Sequence, residues 1–336
     1  RNRLPRAGNV AKMKPEPVRD SNAESETMQT RPLGASGFEV TCIGLGTNYV
    51  GGHGLYTAVD EAEGVRLVQR ALDQGVTFID TADIYGFGRS EELVGKAIAG
   101  RRESVFIATK GGNSFANGER TGVNNEPAYL RSALEDSLRR LGTDHVDLYY
   151  IHRYDERTPP EETFGALMRM KEDGLIRSAG VSNFEPEQLR AALQAGPIDA
   201  LQSRYNLLQR EVEKEVLPLC VEHNIGFVPW GPLAFGLLGG RYARDFVLPE
   251  GDWRLRSGLF DSDSYAAALD IVDALKLIAA DRDVPLAHLA TQWLLSRPAV
   301  VSVIAGAKTV AQVEENVAAN SLVLDADDIA RINALL

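Results

Sequence analysis

Eight short apolar runs, separated by longer amphipathic stretches, constrain this chain more than any other feature. They are Cys42–Gly46, Thr77–Asp80, Val105–Lys110, Val146–His152, Ile176–Ser182, Ile198–Gln202, Ile225–Trp230 and Val300–Gly306. Each carries β-branched or aromatic residues and is short enough to be a strand buried on both faces. Between them lie helical patterns such as Glu126–Leu141 and Pro160–Asp173, several with Pro in the first turn (Pro127, Pro186, Pro285). Gly75, Gly142, Gly174 and Gly226 follow helical stretches where a C-terminal cap is expected. Eight parallel strands alternating with helices can close on themselves and leave no sheet edge. The expected class is therefore α/β, a (β/α)8 TIM barrel. A doubly wound open sheet is the alternative. Its dinucleotide turn should follow the first strand, where Gly44-Leu-Gly46-Thr-Asn-Tyr49 lacks the third glycine.

Three flanking segments complete this organisation. Thr30–Thr41 reads as an N-terminal β-hairpin turning at Gly34-Ala-Ser-Gly37, able to plug the barrel bottom. The stretch after Trp230, as far as about Asp263, reads as a long loop after strand 7, lying over the top face. Residues 1–28 mix Arg, Lys, Glu, Asn, Ser and Pro without an apolar block. They suit a disordered or expression-derived extension better than a targeting or regulatory tail, with Met28 a candidate start. Residues 29–336 are then expected to form a single barrel domain.

Composition narrows the partners. The 336 residues hold 36 Lys plus Arg against 47 Asp plus Glu, a net charge of −11 that opposes nucleic acid and anionic membrane surfaces. The longest apolar runs reach about ten residues, too short to span a bilayer. Cys42 and Cys220 form no disulfide framework and suit a reducing compartment, so a cytoplasmic location is expected. His53, His145, His152, His223 and His288 show no zinc-site spacing, and no metal is expected. Neither a Gly-x-Ser-x-Gly turn nor a Gly-x4-Gly-Lys-Ser/Thr loop is present. Gly86-Phe-Gly88 beside Arg89 reads as a turn into the helix containing Glu91 rather than a phosphate loop.

In a barrel of this kind chemistry sits where strands end. Those ends carry Thr47, Asp80, Lys110, His152, Ser182-Asn183, Gln202, Trp230 and Gly306-Ala-Lys308. Singly each has an ordinary reading: a helix cap, a solvated lysine, a satisfied core histidine. Together they suggest a proton donor with a tuning shell. Asp80 and Tyr85 are five residues apart, so the turn after the strand can bring a phenol back over the barrel. A phenol with pKa near 10 protonates a carbonyl only if tuned. An ammonium beside it lowers that pKa, and Lys110 on the adjacent predicted strand can supply one, oriented by Asp80. His152, one strand further, can align a carbonyl oxygen.

At these residues the chain resembles the aldo-keto reductases, in the branch that includes bacterial reductases and potassium-channel β subunits. The resemblance runs from about Thr30 to Asn320. It rests on Asp80–Gly86, Ile107-Ala-Thr-Lys110, Asp147-Leu-Tyr-Tyr-Ile-His152, Gly180-Val-Ser-Asn-Phe184, Trp230-Gly-Pro-Leu-Ala-Phe-Gly236 and Gly306–Asn316. It implies a catalytic tetrad of Asp80, Tyr85, Lys110 and His152, reduction of aldehydes or ketones, and NADPH held without a classical dinucleotide fold. Ser182, Asn183 and Gln202 would hold the nicotinamide carboxamide and Trp230 would stack on its ring. Thr47, Pro232, Leu233, Gly236 and Arg241 would line the pyrophosphate path. Gly306 and Lys308 would meet the adenosine phosphate, with Gln312, Glu315 and Asn316 around the adenine. Asn48 and His53 depart from the channel-subunit pattern. His152 stands where those subunits carry Asn, which favours an enzyme over a nucleotide-sensing interaction subunit. The loops that would set the substrate, around Asn48–Tyr56, Gly111–Asn125 and Arg241–Asp263, carry no decisive motif, and the sequence leaves oligomeric state open.

Overall fold

The structure, a computed structural model, describes residues 27–52 and 59–336. The readings made for residues 1–26 and His53 lie outside them. Twelve strands occur among the described residues: β1 (Thr30–Pro32), β2 (Glu39–Thr41), β3 (Ile43–Gly46), β4 (Phe78–Asp80), β5 (Phe106–Gly111), β6 (Asn113–Ala116), β7 (Glu119–Val123), β8 (Val146–Ile151), β9 (Ile176–Ser182), β10 (Ala200–Arg204), β11 (Gly226–Trp230) and β12 (Val303–Gly306). Eight of them close a parallel barrel in the order β3-β4-β5-β8-β9-β10-β11-β12, with β12 back against β3. The open doubly wound sheet is thereby excluded: pairing Gly306 with Gly46 removes both edges.

The two-residue period of a strand sorts these segments into two cores. Phe78, Phe106, Ala108, Leu148, Tyr150, Ala200, Val228 and Ile304 pack inside the barrel. Ile79, Ile107, Tyr149 and Ile151, one residue out of phase, belong to the larger core that includes the helical residues. Asp80, Lys110 and His152 keep the inward parity of Phe78, Ala108 and Tyr150 and so form the next inward layer at the carboxyl end. The β1–β2 hairpin closes the other end: Leu33 and Val40 are fully buried in the inner core, and Phe38 meets Phe106 edge-on at 5.9 Å.

Two expectations need correction. Gly226 is no helix cap but the first residue of β11; the left-handed residue after the helix Val216–Glu222 is Asn224, with φ 51°. A Cβ at Gly226 would come within 3.1 Å of the Gly34 backbone, so close packing on the hairpin accounts for that glycine. Gly75, Gly142 and Gly174 do adopt left-handed φ. The second concerns Gly111–Asn125, which is no plain loop: β6 and β7 form an antiparallel hairpin around Asn117-Gly118, both at positive φ. That dipeptide is a strong two-residue turn signal. None of the helices among the described residues is long and apolar enough to cross a membrane.

Candidate active site

The turn after β4 builds the centre. Asp80 ends the strand 1% exposed, and the chain then folds through Thr81–Gly86 into the helix Arg89–Ile98. Gly86 is needed there: its φ is 61°, and a Cβ would sit 2.4 Å from the Gly51 carbonyl. The fully buried Lys110 ammonium donates to Asp80 Oδ1 at 2.6 Å, to the Thr81 carbonyl at 2.8 Å and to the Tyr85 hydroxyl at 3.4 Å. It also lies 4.9 Å from the centroid of the Tyr85 ring. Gln202 Nε2 donates to Asp80 Oδ2 at 2.8 Å, so both carboxylate oxygens are engaged.

Charge and burial oppose each other at this cluster. Burial pulls the Lys110 ammonium down, but Asp80 and Tyr85 together outweigh it and its pKa is raised. Burial pushes the Asp80 carboxyl up, partly offset by Lys110 and Gln202. The Tyr85 phenol was expected to be lowered. Lys110 does lower it, but burial and the Asp80 charge exceed that effect, and the phenol stands above its ordinary value. Tyr85 is thus a firmly protonated donor in this state.

His152 follows β8, its backbone N–H on the Gly111 carbonyl at 2.8 Å and its ring edge-on to Tyr85 at 5.9 Å. Burial, with the charges of Lys110, Arg153 and Arg120, holds the imidazole well below its ordinary pKa, so it is neutral. Its Nδ1 is buried without a hydrogen-bond partner. A buried N–H costs more there than a bare lone pair, so the tautomer protonated at Nε2 is favoured.

The remaining expected residues fall into two groups. Ser182, Asn183, Gln202 and Trp230 meet at one rim. Asn183, at φ 58°, donates from Nδ2 to Ser182 Oγ (2.9 Å) and the His152 carbonyl (3.3 Å), and accepts from Trp230 Nε1 (2.9 Å). The Thr47 hydroxyl is buried, donates to the Asp80 carbonyl at 2.9 Å and lies 2.8 Å from Ser90 Oγ, so its side chain braces the turn. The second group follows β11 and β12. Pro232, Leu233 and Gly236 lie on the loop after β11, and Arg241 reaches across to Glu315 at 3.4 Å. Lys308 lies 4.8 Å over the Tyr49 ring. Its backbone N–H donates to Gln312 Oε1 at 2.7 Å, and Asn316 Nδ2 reaches the Gly306 carbonyl at 3.5 Å. Thr309 caps the helix Val310–Ala318.

Sequence reading missed Asp83. It is 1% exposed, and neither carboxylate oxygen has a side-chain hydrogen-bond partner among the described residues; only the Ile84 backbone N–H eases its charge locally. Burial, reinforced by the nearby Glu91 charge and only partly relieved by Arg140, pushes its carboxyl well above the usual range. Glu91 itself accepts from Thr109 Oγ1 at 2.5 Å and Arg140 Nε at 2.7 Å. A carboxyl whose folded pKa is raised costs stability progressively as pH rises from its unfolded value, about 3.9, towards the folded one. Asp83→Asn should therefore melt a few degrees above the parent at neutral pH and lose that margin towards about pH 4. Melting curves of both proteins across that range decide it; a margin independent of pH would count against a neutral Asp83.

Comparison with known proteins gives the family. The chain is 35% identical over 312 residues to the aldo-keto reductase YhdN of Bacillus subtilis, covering 92% of this chain and 94% of that protein. It is 36% identical over 298 residues to the aldo-keto reductase yakc [NADP(+)] of Schizosaccharomyces pombe, covering 86% of each. Among solved structures, the glycerol dehydrogenase AKR11B4 from Gluconobacter oxydans superposes with a TM-score of 0.84 at 32% identity, over 93% of this chain and 95% of that one. The model of the aldo/keto reductase family matches residues 42–336, which include the whole Asp80–Tyr85–Lys110–His152 cluster. On these grounds the chain belongs to the aldo/keto reductase family and is an oxidoreductase.

Proposed function

We propose that the protein reduces aldehydes or ketones to alcohols with NADPH, with Asp80, Tyr85, Lys110 and His152 as the catalytic residues. The observation that carries the reading is the buried chain from Asp80 through Lys110 to the Tyr85 hydroxyl, at 2.6 and 3.4 Å, facing a neutral His152. Bound nicotinamide supplies the hydride from C4. Tyr85 holds the proton that a developing alkoxide needs, and Lys110 stabilises the phenolate left behind. His152 offers an Nε2–H to the carbonyl oxygen and fixes its direction. The rim suits a nicotinamide: Ser182, Asn183 and Gln202 supply both donors and acceptors for a primary carboxamide, and the partly exposed Trp230 ring offers a stacking face. A solved relative from Klebsiella pneumoniae, 30% identical, is a complex with NADP and acetate, and the fission-yeast relative is named for NADP(+). The buried, unbridged Cys42 and Cys220 support a cytoplasmic setting. A panel of aldehydes and ketones assayed with both reduced nicotinamide cofactors tests the reading; failure to oxidise either cofactor with any carbonyl would sink it.

Cofactor choice has its own test. NADPH exceeds NADH by one phosphate on the adenosine ribose, and Lys308 is an exposed ammonium just before a helix N-terminus. Gln312 and the Thr309 cap already occupy backbone N–H groups there, so the ammonium carries the recognition. A hydrogen bond to a charged group contributes about 1.5–3 kcal/mol, or roughly ten- to a hundredfold. Lys308→Ala should weaken NADPH by that factor and leave NADH nearly unchanged. Equal weakening of both cofactors, or of neither, would remove Lys308 from the phosphate site.

A further inference from the structure

Among the described residues, two guanidinium groups near the His152–Tyr85 pair form no ion pair. Arg153 directly follows His152, and Arg120 stands on β7; both are exposed. Among the described residues the Arg153 guanidinium makes no hydrogen bond or ion pair. Arg120 spends only Nε, on Asn113 Oδ1 at 2.7 Å. Asp155, two residues on from Arg153, pairs instead with Arg157. Both cations act on the His152 imidazole, and the Tyr85 phenol in turn acts on Arg153. Partial desolvation of the otherwise exposed Arg153, followed by the Arg120 charge, lowers the Arg153 pKa. In a chain of net charge −11, a cationic rim at the one catalytic cluster is not a consequence of overall composition.

The rim is also braced. Asn125 donates from Nδ2 to the Arg153 carbonyl at 2.9 Å and from its backbone to Asp155 Oδ2 at 3.1 Å. The hairpin is tied down by Tyr129, whose hydroxyl donates to the Asn113 carbonyl at 2.8 Å, and by Phe115, 5.5 Å from Phe87. A guanidinium fork matches a carboxylate or phosphate, and unpaired cations carried on a braced backbone suit a ligand that brings the missing charge.

We propose that Arg153 and Arg120 form an anion subsite at the mouth of the cleft, so that the preferred carbonyl substrates carry a carboxylate or phosphate beyond the reacting carbon. The inference rests on the carbonyl-reductase reading and narrows its substrate class. The anion belongs to the substrate rather than the cofactor. Arg120 and Arg153 follow β5 and β8, whereas Arg241 and Lys308 follow β11 and β12, across the barrel.

Matched pairs test it: 4-carboxybenzaldehyde against its methyl ester, and glyceraldehyde 3-phosphate against glyceraldehyde, with the parent, Arg153→Gln and Arg120→Gln. The quantity read is the charged-to-neutral ratio of kcat/KM within each protein, so any common effect through His152 cancels. In the parent this ratio should exceed tenfold for at least one pair, and the pair that shows it distinguishes carboxylate from phosphate. Arg153→Gln should cut the ratio about ten- to a hundredfold, mainly through KM of the charged member. Arg120→Gln should cut it by less. A ratio near one for both pairs, or a ratio untouched by Arg153→Gln, would overturn the subsite. Terephthalate, which cannot be reduced, reads the subsite without turnover through tryptophan fluorescence. Binding weakened about tenfold by Arg153→Gln supports it even if no carbonyl is turned over, an outcome that would sink the reductase reading alone.

Discussion

Tyr85→Phe should lower kcat/KM for carbonyl reduction by about 10²–10⁴-fold, the usual contribution of a positioned general acid. Folding and cofactor affinity should hardly change. Among the described residues the hydroxyl makes one hydrogen bond, at 3.4 Å to Lys110, and that ammonium keeps its stronger bonds to Asp80 and Thr81. The ring keeps its edge-on packing on His152 and its place under the Lys110 charge. The raised phenol pKa adds a pH signature: the donor form persists through neutral pH and is lost only as pH climbs through a value above its ordinary 10. Reduction by the parent should therefore show no loss assignable to Tyr85 across the neutral range, while alcohol oxidation, which needs the phenolate, should rise with pH. Steady-state rates with melting curves and a cofactor titration check all three. A rate within a few-fold of the parent would mean that Tyr85 is not the donor.

Lys110→Met should be nearly as damaging, for a different reason. The ammonium is the main group opposing the rise of the Tyr85 pKa, so its loss drives the phenol further up and weakens the phenolate as a leaving state. The basic limb of the alcohol-oxidation profile should move to higher pH. Removing Lys110 also leaves Asp80 buried with Gln202 as its one side-chain partner among the described residues. Breaking one side of a buried ion pair typically costs about 3–5 kcal/mol, and the variant should melt clearly below the parent, unlike Tyr85→Phe. Protonation of Asp80 limits that cost: its carboxyl is already pushed up by burial, and losing the lysine pushes it further. The two variants together separate proton donation from the electrostatics that support it. An unchanged pH profile in Lys110→Met would return that lysine to a structural role.

The alternation of eight apolar runs with helical stretches determined an α/β chain with a parallel sheet and favoured closure, which removes both edges; the Gly46–Gly306 pairing that excludes an open sheet is a property of the tertiary structure. The strand ends were equally legible. Asp80, Lys110 and His152 continue the inward parity of Phe78, Ala108 and Tyr150, so local sequence already aimed them at one layer. Asn117-Gly118 likewise marks the β6–β7 hairpin in the local sequence, as a two-residue turn between short strands. What the tertiary structure alone decided is electrostatic. Whether Lys110 lowers the Tyr85 pKa depends on how far burial and Asp80 oppose it, and burial follows from every element packed around the site. Asp83 carries nothing in its local sequence to distinguish it from a solvated turn residue; its isolation arises from the helices Arg89–Ile98 and Pro127–Leu141 folding Glu91 and Arg140 close by. Arg120 and Arg153 lie 33 positions apart and become one cationic rim only when the β6–β7 hairpin folds beside the end of β8. Hydrophobic periodicity is a property of neighbouring residues and is written along the chain. The balance of desolvation against charge is a property of distances between distant residues, and it exists only once the chain has folded.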